Sequence, residues 1–331
     1  MQQYVENIAS RLLSYKGFNQ PILDNLGNNN RTNLLIHVRS WLEQFEVAER
    51  GDLARITSYL LDNCFIDEAQ EIEYIDSLFM DSLINQQGLV ARPLCIQGNG
   101  RSQRDLVAIY DRLVHQKSLA YNPNLYIYLD DVMFSGGRVY NDLSNYLARL
   151  NTSTEIVICL NSVHTLSLWK CQQKLQKKLN ELYKRNIVVK IYWKIARQLE
   201  NRLYRNNYSD ILWPMEGTLN LSGLVGYKLV DYKYRTGFNS SIIFNNNNDR
   251  LFLEKICLKY GYQILERCNS PHETSKPLGN SFYGYGFGGL IFNYRNCPNS
   301  VPLIFWWGSN DADNPLYKQW YPLMPRRTYN N

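Results

Sequence analysis

Hydrophobic positions follow a helical period in the first quarter of the chain and fall into short continuous runs in its middle. Ile8, Leu12 and Leu13 mark one face of an opening helix. Residues 33–49 place Leu34, Val38, Trp41, Leu42 and Phe45 at i, i+4, i+7, i+8 and i+11, which predicts an amphipathic helix. Residues 53–67 repeat the period. Asp67 is placed to N-cap a third helix that buries Ile72, Ile75, Leu78, Phe79 and Leu83. None of this carries evident chemistry, and its expected role is a helical cap packed against the rest of the chain.

Near Gly88 the pattern changes. Apolar runs at 94–97, 125–129, 154 onward and 186–195 read as strands, and Leu106, Ile109 and Leu113, then Val139, Leu143 and Leu147, recur at helical spacing between them. This alternation predicts an α/β fold with a doubly wound, mainly parallel sheet, whose ligands bind at the C-terminal ends of the strands. Residues 255–268 read as a further helix. Beyond it, Gly284, Gly286, Gly288 and Gly289 interleave with Tyr283, Tyr285 and Phe287, ahead of Trp306-Trp307. This predicts an aromatic, Gly-rich β lobe whose rings either fill its own core or stack on a planar base. The expected organisation is an N-terminal helical region over 1–88, a core over 89–200, and a C-terminal lobe over 201–331 completing the same domain. The Asn28–Asn30 and Asn245–Asn248 runs read as loops.

Composition narrows the function classes. The 331 residues are 45% hydrophobic and carry a formal net charge of +6. That balance suits anionic small molecules and gives no strong sign of direct nucleic-acid binding. Seven scattered cysteines without a C-x-x-C pattern fit reduced thiols in a cytoplasmic protein rather than a zinc site or a disulfide framework. The first residues lack the pattern of a secretion signal, and no apolar run approaches the roughly 18 residues of a membrane span.

The chemistry is concentrated in residues 125–139, LYIYLDDVMFSGGRV. An apolar strand runs into Asp130 and Asp131, then into Ser135, Gly136 and Gly137, then into a helix. Backbone N–H groups of such a loop and helix N-terminus can point at an anion. Glycine lets the backbone approach closely or take positive φ. The two carboxylates beside the cradle suit sugar hydroxyls or Mg²⁺. Gly98, Asn99, Gly100, Arg101 and Ser102 form a second candidate anion loop, in which a guanidinium can pair bidentately with phosphate oxygens. His164, after the third strand, is a candidate for acid–base work.

The 125–139 pattern resembles the phosphoribosyl-pyrophosphate (PRPP) motif of type I phosphoribosyltransferases. The resemblance implies that Asp130 and Asp131 bind ribose hydroxyls and Mg²⁺ and serve as the catalytic pair. It implies that Phe134, Ser135, Gly136, Gly137 and Arg138 bind the 5′-phosphate, and that Gly98–Ser102 correspond to the pyrophosphate loop. Phe134 and Arg138 depart from the small hydroxylated residues usual in that motif. Trp41-Leu42-Glu43-Gln44-Phe45, the Asp-Asp motif, Asn296-Cys297-Pro298-Asn299, Trp306-Trp307 and the closing Trp320-Tyr321-Pro322-Leu323-Met324-Pro325-Arg326 occur in that order. Together they resemble PRTase-CE, a divergent phosphoribosyltransferase-like family of prokaryotic conflict systems. That resemblance implies a phosphoribosyltransferase-like antiviral effector that takes PRPP or a related nucleotide with Mg²⁺, alongside partner proteins of a defence operon. The alternative is a catalytically inactive phosphoribosyltransferase fold that senses or regulates through nucleotide binding.

Overall fold

The structure, a computed structural model, describes residues 1–18, 30–97, 102–205, 207–218, 233–237, 240–268, 270–311 and 314–327. It forms two compact units, one of residues 1–67 with 202–328 and one centred on 68–201. The first unit opens with α1 (Gln2–Leu12), α2 (Asn30–Glu43) and α3 (Val47–Cys64). The α2 stripe is buried as its period predicts: Leu34, Val38, Trp41, Leu42 and Phe45 are all core residues. In α1 the buried face is Val5, Ile8, Ala9 and Leu12, whereas Leu13 points outward, because the helix ends at Leu12.

The second unit holds the sheet. α4 (Glu68–Leu78) starts directly after Asp67, followed by β1 (Asn85–Gln86), β2 (Leu89–Pro93), α5 (Ser102–Gln116), β3 (Ala120–Met133), α6 (Gly137–Ala148), β4 (Thr154–His164), α7 (Thr165–Tyr183) and β5 (Val189–Leu199). The five strands lie in sequence order, with β1 antiparallel to β2 and every later pair parallel. The fold is therefore mixed α/β around a mostly parallel sheet. The first strand of the parallel set is displaced from the expected 94–97 to 89–93. Leu94 N–H still donates to Ile127 O at 2.8 Å, but the N–H groups of Ile96 and Gln97 donate to Gln103 Oε1 at 2.9 and 2.8 Å. That side chain captures the backbone that would have continued the strand.

Period-two alternation puts the helices on both faces. Leu125, Ile127, Leu129, Val157 and Cys159 form one core with α4 and α5. Tyr128, Ile156, Ile158 and Leu160 form the other with α6 and α7. The strands advance in one direction, yet α5 and α6 leave on opposite faces. The crossovers β2–α5–β3 and β3–α6–β4 therefore have opposite hands. A crevice opens at the strand ends where neighbouring helices diverge in this way, and here that place is the C-terminal end of β2 and β3.

The first unit is completed by α8 (Asn247–Glu266) and a long irregular segment. α8 begins earlier than its apolar period indicates. The asparagine run read as a loop supplies its start, with Asn246 as N-cap accepting from Asp249 N–H at 2.8 Å. Among the described residues beyond 201 the expected C-terminal β lobe is not seen: the one strand there is Phe292–Asn293, paired with Phe65–Ile66. Glycines there serve close packing rather than strand pairing. A Cβ on Gly288 would lie 2.3 Å from Leu212 O, and the Leu212 and Gly288 backbones bond instead at 2.8 Å. Tyr285, Trp306 and Trp320 fill this unit's own core, whereas Phe282 and Tyr283 are exposed. Trp41 Nε1 and Trp320 Nε1 both donate to Ile304 O at 2.9 Å, and Trp306 Nε1 donates to Val301 O at 2.7 Å.

Candidate functional site

Asp130 and Asp131 lie in the last turn of the pleat of β3, the middle strand of the sheet, with Asp130 opposite Leu160 of β4. Asp130 is only 5% exposed, Asp131 half-buried. Ser102 Oγ donates to Asp130 Oδ1 at 3.0 Å, and so does the Asp131 backbone N–H at 3.0 Å. Tyr128 OH and Gln97 Nε2 each approach Asp130 Oδ2 at 3.4 Å. Burial first, and then the Asp131 carboxylate beside it, push the Asp130 carboxyl up to about 7.

The segment after β3 turns sharply. His164 closes β4 in a buried position, donates through Nδ1–H to Met133 O at 3.1 Å, and stacks on Phe134 with ring centroids 5.1 Å apart. Burial lowers its pKa to about 4. Its ring braces the loop through Met133 and Phe134. Ser167 Oγ, in the first turn of α7, donates to Phe134 O. Gly136 adopts φ +74°, and a Cβ there would lie 3.0 Å from Ser167 O. Its glycine is thus required by the left-handed backbone and by the neighbouring helix. Gly137, the first residue of α6, has open space: a Cβ would meet only Ser135 Oγ, at 3.7 Å. Ser135 and Arg138 are exposed at the mouth of this turn. Gly136, the N-cap of α6, has no capping side chain, Gly137 N–H donates only distantly to Ser135 Oγ at 3.5 Å, and a helix N-terminus of this kind suits an anion.

Of the second loop, Gly98, Asn99, Gly100 and Arg101 lie outside the described residues. Its two flanks do not. Gln97 and Ser102 both contact Asp130. Sequence reasoning missed the residues that hold this arrangement. Tyr128 sits two residues before Asp130 on the same face of β3; it donates to Asp142 Oδ2 at 2.9 Å and accepts from Gln97 Nε2 at 3.1 Å. Strand alternation places Tyr128 beside Asp130, but nothing in the sequence pairs it with Asp142 of α6. Gln97 is buried, and its Oε1 has no partner among the described residues.

Cation binding can be judged on this donor set. Among the described residues there is no group of three or more His, Cys, Asp or Glu side chains able to hold a metal. Mg²⁺ characteristically takes one or two carboxylates and completes its shell with water and substrate phosphates. The Asp130–Asp131 pair fits that mode and not an all-protein cage.

Neither the curated proteins nor the solved structures contain a match to this chain. The family comparison is positive, and it spans the helical front, the strand-end acidic pair and the closing tryptophan–proline segment: residues 38–326 match PRTase-CE, and the chain belongs to that family.

Proposed function

We propose that this protein is a phosphoribosyltransferase-like enzyme that binds PRPP or a related phosphoribosyl ligand with Mg²⁺ and transfers or cleaves the group at C1. The family name points to the phosphoribosyltransferase-like class. The observation that carries the finer reading is the pair of carboxyls at the end of the middle strand, at the divergence of α5 and α6, with the uncapped α6 N-terminus following within six residues. Asp131 and Asp130 accept from the ribose hydroxyls. The Gly137–Arg138 backbone and the Arg138 guanidinium take the 5′-phosphate. Ser102 and the loop before it take the pyrophosphate end. Mg²⁺, when bound, supplies positive charge to the departing pyrophosphate. The protein's own contribution is orientation and fixed electrostatics rather than a covalent nucleophile. By its resemblance to conflict-system proteins, the biological role is that of an antiviral effector.

A second reading, a nucleotide-sensing module without turnover, is favoured by two features. Asp130 is already engaged by Ser102 and buried, and an aromatic ring stands where a hydroxylated side chain is usual in the phosphate loop. Release of labelled pyrophosphate from PRPP, with water alone and with mixed nucleobases and nucleosides as acceptors, separates the two. The enzyme reading expects Mg²⁺-dependent release that Asp131→Asn abolishes. PRPP binding without release would favour the sensor, and neither binding nor release would remove the phosphoribosyl reading.

A further inference from the structure

The charge of this chain is unevenly placed. Residues 137–149 and 165–185, covering α6, α7 and their C-terminal flanks, hold eight Lys and Arg residues against Asp142 and Glu181. Their balance of +6 equals the formal charge of all 331 residues. Both acids are engaged locally: Asp142 accepts from Tyr128 OH, and Glu181 pairs with Lys178 at 2.9 Å. Lys170, Lys174 and Lys177 are exposed and lie at i, i+4 and i+7, in one stripe along α7. Among the described residues none of the three makes an ion pair, though Lys174 Nζ lies 5.2 Å from the Tyr140 ring centroid. Like charges at this spacing destabilise a helix, so helix formation does not account for the stripe.

A second stripe runs beside it. Trp169, Gln173, Gln176, Asn180 and Tyr183 recur at i, i+4, i+7, i+11 and i+14, and all five are exposed. Trp169 is 55% and Tyr183 70% exposed, although the opposite side of α7 is well buried through Cys171, Leu175 and Leu182. A row of side-chain amides between two exposed aromatic rings is unsuited to a lipid surface or an apolar groove. Amides offer donors and acceptors to base edges, rings offer stacking faces, and the lysine row beside them offers charge to phosphates.

We propose that this face of α7, with α6 beside it, binds single-stranded nucleic acid. Phosphates lie along Lys170, Lys174 and Lys177, and unpaired bases stack on Trp169 and Tyr183, about 21 Å apart along the helix axis. A duplex hides its base faces and cannot use the rings. The surface also leads to the acidic pair's phosphate loop, because the first turn of α7 holds that loop through Ser167 and Phe134. The inference rests on charge placement and exposure and does not depend on PRPP being the ligand of the neighbouring site.

The test uses the full chain and fluorescence anisotropy with labelled 20-nucleotide single-stranded DNA and RNA, the matching duplex, and phosphatidylserine-containing vesicles as a competitor. We expect single strands to bind in preference to duplex, with affinity falling about 20-fold between 50 and 200 mM salt for three phosphate contacts. Lys170→Glu/Lys174→Glu/Lys177→Glu should weaken binding at least ~30-fold and flatten the salt dependence. Trp169→Ala/Tyr183→Ala should weaken it about 10-fold and keep the salt slope. Thermal melts check that the variants fold, and Lys170→Gln/Lys174→Gln serves if the charge reversal does not. PRPP affinity, measured on the same proteins, should be unchanged, which separates this surface from the proposed pocket. The proposal is overturned if no oligonucleotide binds at low salt, if the charge variants bind like wild type, if duplex binds as well as single strands with no loss in the aromatic variant, or if vesicles displace the strand at equal charge concentration.

Discussion

Gly136 and Gly137 stand side by side in the candidate phosphate loop, yet they are constrained by different things. Gly136 is held at φ +74° against Ser167 O, so Gly136→Ala should cost about 1–2 kcal/mol of stability whether or not a ligand binds. Gly137→Ala has room and should leave the melting temperature unchanged while weakening any ligand whose phosphate approaches the α6 backbone. Differential scanning fluorimetry of the two variants distinguishes these effects; equal melting temperatures would contradict the assignment for Gly136. The acidic pair was legible in the sequence because Asp-Asp after an apolar run is a short-range pattern. The burial of Asp130 was not, since it depends on Ser102 and Gln97, which are distant along the chain. His37 and His164 are buried, and desolvation lowers both to about 4. Their folded values lie below the ~6.5 of an unfolded histidine, so the unfolded chain binds the proton first. Stability should therefore fall as pH drops from about 6.5 to about 4, by up to ~3 kcal/mol for each ring. Urea melts at pH 7 and pH 5 measure the slope, and His37→Gln should reduce it.

Periodicity served well for the elements whose cores are local. The α2 stripe and the continuous apolar run over 125–129 in β3 are both buried as read, with Tyr126 half-buried. It failed where a single long-range contact decided the outcome. Gln103 Oε1 takes two backbone donors, from Ile96 and Gln97, and ends the sheet pairing after Leu94. In the C-terminal third, alternating Gly and aromatic residues imitate strand period, but their glycines sit where other backbones approach within about 3 Å, as at Leu212, and the segment coils through its own core. The asparagine run before α8 is informative in retrospect. Asn246→Ala should destabilise the unit by about 1 kcal/mol through loss of the cap, whereas Asn248→Ala should be near neutral. A urea-unfolding series that ranked them equally would argue against the cap.

At the scale of the molecule, two distributions of charge escape a total of +6. One is the α6–α7 surface. The other is interior: Glu254, fully buried, accepts from Arg235 Nη2 at 2.7 Å and Arg250 Nε at 3.0 Å, while Arg250 also donates to Ser209 O and Ile211 O and Arg235 to Trp213 O. These bonds fasten irregular chain to α8. Glu254→Gln would leave two buried guanidiniums without their counter-charge and should cost about 3–5 kcal/mol; a loss below about 1 kcal/mol in chemical denaturation would show that the cluster is hydrated or dispensable.

The central claim is that the acidic pair and the α6 N-terminus form a phosphoribosyl-binding site. Isothermal titration of PRPP with Mg²⁺ into the wild-type protein and into Asp131→Asn tests it most directly, because Asp131 is half-exposed and its replacement leaves the core intact. Saturable binding to the wild type, weakened at least ~10-fold in the variant at an unchanged melting temperature, is the predicted result; about 1.4 kcal/mol separates the two. No saturable heat with the wild type, or the same affinity in both proteins, would contradict it.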